Sequence, residues 1–176
     1  MGRARVSEPS TAAPDLSSFR RVWIAGFVTN QVDDIDVNVE TVRLLRRRLR
    51  SSAAVRVLDA EPLTIATEAA LRDAERWRNL GEEHGAPLIV TGSLRLVSAP
   101  PVPVQSASTH RSNYGLRKGF VLETTFVFID GQTGEVVASQ RFPNEKLYAA
   151  DERASTLSLF FRLMDRILPT FLRAFW

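Results

Sequence analysis

The chain has no cysteine among its 176 residues. That excludes disulfides, thiolate metal sites and a thiol nucleophile, and leaves the redox compartment open. Histidine is nearly as scarce, with only His84 and His110. Neither stands in a pattern with a second ligand or a serine nucleophile. His84 falls at the expected end of a helix, where a cation helps cap the last carbonyls. No run is long and apolar enough to span a bilayer as a helix. The first strand ends in VTNQVDD, not in a Gly-rich turn, so nucleotide binding of the Rossmann or P-loop kind is not expected. Lysine is nearly missing too: of 23 basic residues only Lys118 and Lys146 are lysines. Arginine in their place reads either as codon bias of a GC-rich genome or as selection for anionic partners, which a guanidinium binds bidentately.

What remains is the composition of an ordinary globular protein, 44% hydrophobic and 24% charged, with net charge +3. A chain of this size buries roughly 70% of its unfolded surface and needs no staples. Residues 1–19 are polar, with Pro, Ser and Ala, and read as a disordered leader or linker. They lack the apolar core of a signal peptide. Residues 20–176 are expected to form a single α/β domain. With an export signal the protein is periplasmic or outer-membrane-associated; otherwise it is cytoplasmic.

The clearest pattern lies between Gly119 and Phe142. It alternates, turns at Asp130-Gly131 and Thr133-Gly134, and returns, which predicts a β-hairpin. Before it, Arg21–Val28 is a short apolar run expected as a first, central strand. A polar, acidic loop follows over Thr29–Asp36. A helix is expected from Val37 to Arg50, capped by Asp36, with Val42, Leu45 and Leu49 as its core stripe. Val55–Leu58 reads as a strand. A second helix is expected over Ile65–His84, with Ala70, Ala74 and Trp77 on one face and Gly85 and Pro87 ending it. Leu88–Val97 is the next strand, where Gly92 signals a bulge or a close backbone approach. Ser98–Lys118 is expected as a long connection with Pro100, Pro101 and Pro103 near its start. A last helix is expected over Ala154–Leu168, with Pro169 kinking or stopping it. The order β-α-β-α-β-β-β-α predicts a mixed sheet with helices packed on it.

Several residues are candidates for chemistry or contact. Asp33, Asp34 and Asp36 could hold a divalent cation through oxygen ligands, but lack EF-hand spacing; the simpler reading is a solvated loop with a helix cap. Arg43, Arg46, Arg47 and Arg50 fall at helical spacing and predict one exposed cationic stripe. It is either a solvated face or a docking surface for nucleic acid, phospholipid headgroups or an acidic protein. No aromatic RNA-binding strand motif accompanies it. His110, Arg111, Tyr114 and Arg117 mark the long connection as a candidate partner-binding loop. Phe171, Phe175 and Trp176 either pack on the core or form an apolar contact patch. No catalytic constellation, metal site or cofactor site is expected.

Three segments carry a resemblance. GFVTN after the first strand and a helix before VRVLD are similar to the opening of one group of bacterial envelope domains. HGAPLIVTGSLRLV resembles its central strand, and FVLETTFVFIDGQTGEVVAS its hairpin. The group includes the curli-secretion lipoprotein CsgG, the penicillin-binding-protein activator LpoB and the amino-terminal domain of TolB. The resemblance spans roughly residues 20–142. It implies a layered α/β fold and a non-enzymatic envelope protein, often a lipoprotein, that binds other envelope proteins or copies of itself. Peripheral membrane contact is compatible with it, and nucleic acid is not the expected partner. A pore-forming role is not expected, because Ser98–Lys118 does not supply the ten or so alternating residues per strand that spanning hairpins need.

Overall fold

A computed structural model of the chain describes residues 10–103 and 116–176. The strands are β1 (Arg21–Ile24), β2 (Val28–Thr29), β3 (Arg56–Val57), β4 (Leu88–Pro103), β5 (Leu116–Asp130), β6 (Val136–Arg141) and β7 (Glu145–Tyr148). The helices are α1 (Val37–Ser52), α2 (Ala74–Glu83) and α3 (Thr156–Arg173), with a short 3-10 turn at Glu68–Arg72. They build one α/β domain around a mixed sheet of order β3-β1-β4-β5-β6. β1 runs parallel to β3 and β4, as crossover connections require. β5 lies antiparallel to β4, β6 and β7.

The longest pairing joins β4 to β5, and within it Gly92 stands opposite Phe126. Gly92 has a φ of 142°, a region that L side chains rarely adopt, and a Cβ there would fall on the Thr125 carbonyl. The expected close backbone approach is therefore real. It seats the Phe126 ring 5.7 Å from Phe27, 5.3 Å from Phe142 and 4.9 Å from Phe171. On this inner face α1 contributes Val42, Leu45 and Leu49, and α3 contributes Phe160, Met164 and Phe171, all buried. The outer face holds a smaller core of Trp23, Ile89 and Ile129 under Ile65, Leu71 and Trp77.

The expected helix over Ile65–His84 is two pieces. Asp73 takes the Arg76 amide on its side chain and starts α2 afresh after the 3-10 turn. Trp77 is buried and donates its indole N–H to the Ala70 carbonyl at 3.0 Å, but Ala74 is exposed. The expected strand Arg21–Val28 is also interrupted. At Gly26 the backbone lies against Leu63, leaving no room for a Cβ, and β2 resumes the pairing with β4 beyond it. The last helix runs through Pro169 to Arg173, past the expected stop. Proline costs about 3 kcal/mol inside a helix, yet Pro169 is exposed and the turn beyond it is anchored by buried Phe171. β7 was not expected at all. Residues 10–19, expected as part of a disordered leader, pack on the domain. Ser10 bridges to β6, and the Leu16 amide donates to the Ala174 carbonyl at 2.7 Å. The leader expectation for residues 1–9 lies outside the described residues.

Two substitutions test this packing by urea unfolding. Trp77→Ala is expected to cost about 3–5 kcal/mol; a loss below about 0.5 kcal/mol, the level of a surface change, would contradict its place in the outer core. Gly92→Ala is expected to cost about 3 kcal/mol or more through backbone strain and the clash with Thr125.

Candidate docking face

Past Gly92 the outer face of the sheet loses its helical cover. Successive outward pairs along β4 and β5 are Ser93 with Thr125, Arg95 with Glu123, Val97 with Val121, and Ala99 with Gly119. β6 adds Arg141 beside Thr125, and β7 adds Lys146 beside Val121 and Tyr148 beside Gly119. Except for Ala99 and Gly119, these residues are half-buried or exposed. Antiparallel strands tolerate a wet face, but this one carries two valines amid both signs of charge. Arg95 and Glu123 approach to 3.5 Å, both well exposed, which contributes little to stability.

Tyr148 is fixed on this face. Its ring lies where a Gly119 Cβ would stand, and its hydroxyl donates to the Pro100 carbonyl at 3.2 Å. The Lys146 ammonium sits 5.2 Å from the ring centroid. The outer edge of β4 is closed to strand addition. After β2 ends, the Asn30 side-chain amide pairs with Leu96 in both directions, at 2.8 and 3.0 Å, as a neighbouring strand would. Farther along, Pro100, Pro101 and Pro103 remove backbone donors. The surface is therefore offered face-on. The described ends of the expected connection Ser98–Lys118 are strand: β4 continues to Pro103 and β5 begins at Leu116, with a register shift between Ala99 and Val102. Alternating strand and Pro-rich composition conflict there, and pairing with β5 decides the outcome.

The residues singled out from sequence are scattered. His110, Arg111 and Tyr114 lie outside the described residues. Arg117 is half-buried in β5, opposite Val102. Arg43, Arg47 and Arg50 are exposed on α1, but Arg46 is not part of an exposed stripe. Its side chain is only 12% accessible; it meets Asp59 at 3.3 Å and donates to the Ala60 carbonyl. Burial holds its pKa below the usual arginine value, against the opposing pull of Asp59. Arg43 pairs with Glu40 at 3.2 Å. Phe171 and Phe175 are buried beside Phe128, so they are core and not a contact patch; Trp176 alone of the three is exposed.

The acidic loop is structural where it makes contacts. Asp36 caps α1 through the Val39 amide at 3.0 Å, and Asp33 accepts the Thr156 hydroxyl at 2.7 Å. His84 stacks on Trp23 with centroids 4.0 Å apart, and its Nδ1 lies 2.8 Å from the Leu80 carbonyl. Among the described residues no group of three or more acids and histidines could hold a metal ion, and no helix is long and apolar enough to cross a membrane. Sequence reasoning missed Asn30 and Tyr148. Asn30 carried no signal beyond its place just after a strand.

No protein-family model matches the chain, and no curated protein matches it. Among solved structures, a Helicobacter pylori protein named as a neuraminyllactose-binding hemagglutinin homolog is similar over 97% of this chain and 91% of its own, at TM-score 0.50 and 10% identity. Lipoprotein GNA1162 from Neisseria meningitidis is similar over 85% of this chain and 94% of its own, at TM-score 0.46 and 10% identity. The hypothetical protein CT253 from Chlamydia trachomatis is similar over 90% and 94%, at TM-score 0.44 and 11% identity. At such identities the likeness is one of fold, and no residue's role is carried across. None of the three establishes the finer resemblance to the CsgG, LpoB and TolB group.

Asn30→Ala removes both side-chain bonds to Leu96. It is expected to lower stability by about 1–2 kcal/mol and to speed amide exchange at Leu96. Unchanged exchange there would show that the amide does not close the edge.

Proposed function

We propose that the protein is a non-enzymatic accessory or assembly factor of the bacterial envelope, of lipoprotein type, that works by binding other envelope proteins. The observation that supports this best is the open outer face from Ser93 to Tyr148. It is broad, mixed in polarity and held rigid by the longest strand pairing of the fold. Surfaces of this kind suit face-on protein contact: a small apolar centre, here Val97 and Val121, rimmed by charges that set partner choice. The motif resemblance supports an envelope setting, and so does a fold shared with a bacterial protein named for hemagglutinin homology. Of the groups with candidate chemistry, Asp33, Asp36 and His84 already have structural partners, and Asp34 is exposed. Binding without catalysis and without a cofactor is the simpler reading. Nucleic-acid binding through the α1 arginines is weaker than its spacing implies, since Arg46 is tucked against Ala60.

The native protein is expected in the envelope fraction of its host and open to added protease in spheroplasts. Recovery in the cytosolic fraction would contradict the envelope reading. Within the envelope, Val121→Glu is expected to lower recovery of crosslinked partner about tenfold, equivalent to roughly 1.4 kcal/mol of binding. Its urea midpoint should stay near wild type, because the side chain is on the wet face. Undiminished recovery would remove this face from the proposal.

A further inference from the structure

The topology gathers arginines with no ion-pair partner among the described residues, and one exposed indole, at a single end of the domain. α1 and α3 run in the same direction. Asp33, just before α1, meets Thr156 at the start of α3; Arg48 meets Asp165 at 2.9 Å; and the Trp176 indole N–H donates to the Ser52 carbonyl at 3.2 Å. Both helices therefore finish at the same end. The chain also enters β1 and β3 there, where the Arg56 amide donates to the Arg20 carbonyl at 2.8 Å. Arg20, Arg47, Arg50, Arg56 and Arg173 are all exposed. Among the described residues none of the five has a carboxylate within ion-pair distance. Acids also reach this end: Asp165 is paired with Arg48, the Asp15 carboxylate accepts the Ser17 hydroxyl at 2.6 Å, and Glu82 and Glu83 close α2 where the Arg21 guanidinium donates to the His84 and Gly85 carbonyls, with Asp130 opposite Leu88.

Trp176 is 74% exposed, while Trp23 and Trp77 are buried. Its one polar hydrogen is already used on Ser52, so what it shows to solvent is carbon. A helix dipole explains Arg50 and Arg173 near helix ends. It does not explain Arg20 just before β1 or Arg56 in β3, nor an indole left in water.

We infer that this end is a contact surface for an anionic lipid bilayer, with Trp176 at the boundary of headgroup and acyl chain and the five arginines on the headgroup phosphates. An indole with its polar edge satisfied suits that boundary. A single aromatic ring is a poor platform for successive nucleic-acid bases, which stack on several. This inference is independent of the open sheet face, and that face's failure to bind a partner would leave it untouched.

The full chain is mixed with vesicles of equal phosphatidylglycerol and phosphatidylcholine, and with vesicles of phosphatidylcholine alone. Binding is expected to the anionic vesicles only, weakening steeply as salt rises. Because the other two tryptophans are buried, quenching by acyl-brominated lipid reports Trp176 in the unaltered protein, and it is expected to be strong. Each arginine near such a surface is worth roughly fivefold in partitioning, so the Arg50→Glu, Arg173→Glu double variant is expected to bind at least tenfold more weakly. Trp176→Ser should abolish the bromine quenching, while Arg95→Glu on the sheet face should bind as wild type. Equal binding to both vesicle types, no bromine quenching, or transfer of the protein from anionic vesicles to an added single-stranded oligonucleotide would each overturn the inference.

Discussion

The close approach of β4 and β5 at Gly92 is the constraint on which the rest depends. With no side chain at that position, the Thr125 carbonyl can lie against the β4 backbone, and Phe126 takes a fixed place on the inner face. Its ring then meets Phe27 from the loop after β1, Phe142 from the β6–β7 connection and Phe171 from α3. One residue thus ties together chain segments far apart in sequence. Any group added at Gly92 would displace the carbonyl, then the ring, then all three contacts. Cores are close-packed and do not absorb such shifts smoothly.

The two faces of the sheet differ because the two helical layers differ in length. α1 and α3 span most of the inner face, and α3 extends its cover by continuing past Pro169. On the outer face the 3-10 turn and α2 supply a shorter cap centred on Trp77. Beyond it β4 and β5 continue without support from that side. They are held by each other, by β7 and by the Tyr148 ring laid over Gly119. The open face is thus a product of a short α2 combined with long strands. Its edge along β4 is closed by Asn30 and prolines, which leaves the flat surface as the means of contact.

Much of this was legible in the sequence where local and tertiary preferences agree. The hairpin around Asp130-Gly131 has both alternation and turn chemistry, and Asp36 followed by the Val42, Leu45, Leu49 stripe marks α1 as it stands. Legibility failed where distant contacts win. Pro169 should stop α3 locally, but Phe171 and Phe175 are drawn into the aromatic cluster. Arg46 belongs to a helical stripe by spacing, yet the returning chain at Asp59 and Ala60 covers it. β7 is four residues with no strong strand pattern, and is a strand because β5 offers an edge. The open face was the least visible. Residues such as Arg95, Val97 and Glu123 read as any half-solvated strand, and only the position of α2 shows that nothing described covers them.

The central claim is that the outer face past Gly92 is where this protein meets another. Its most direct test is a photo-crosslinking residue placed singly at Val97, Val121, Arg78 on α2 and Arg162 on α3, expressed in the native host. Val97 and Val121 face outward on the open sheet, while Arg78 and Arg162 are exposed on the two helical layers. The account predicts one discrete adduct from positions 97 and 121 and none from 78 and 162. Adducts only from the helical positions, or from none of the four, would contradict it.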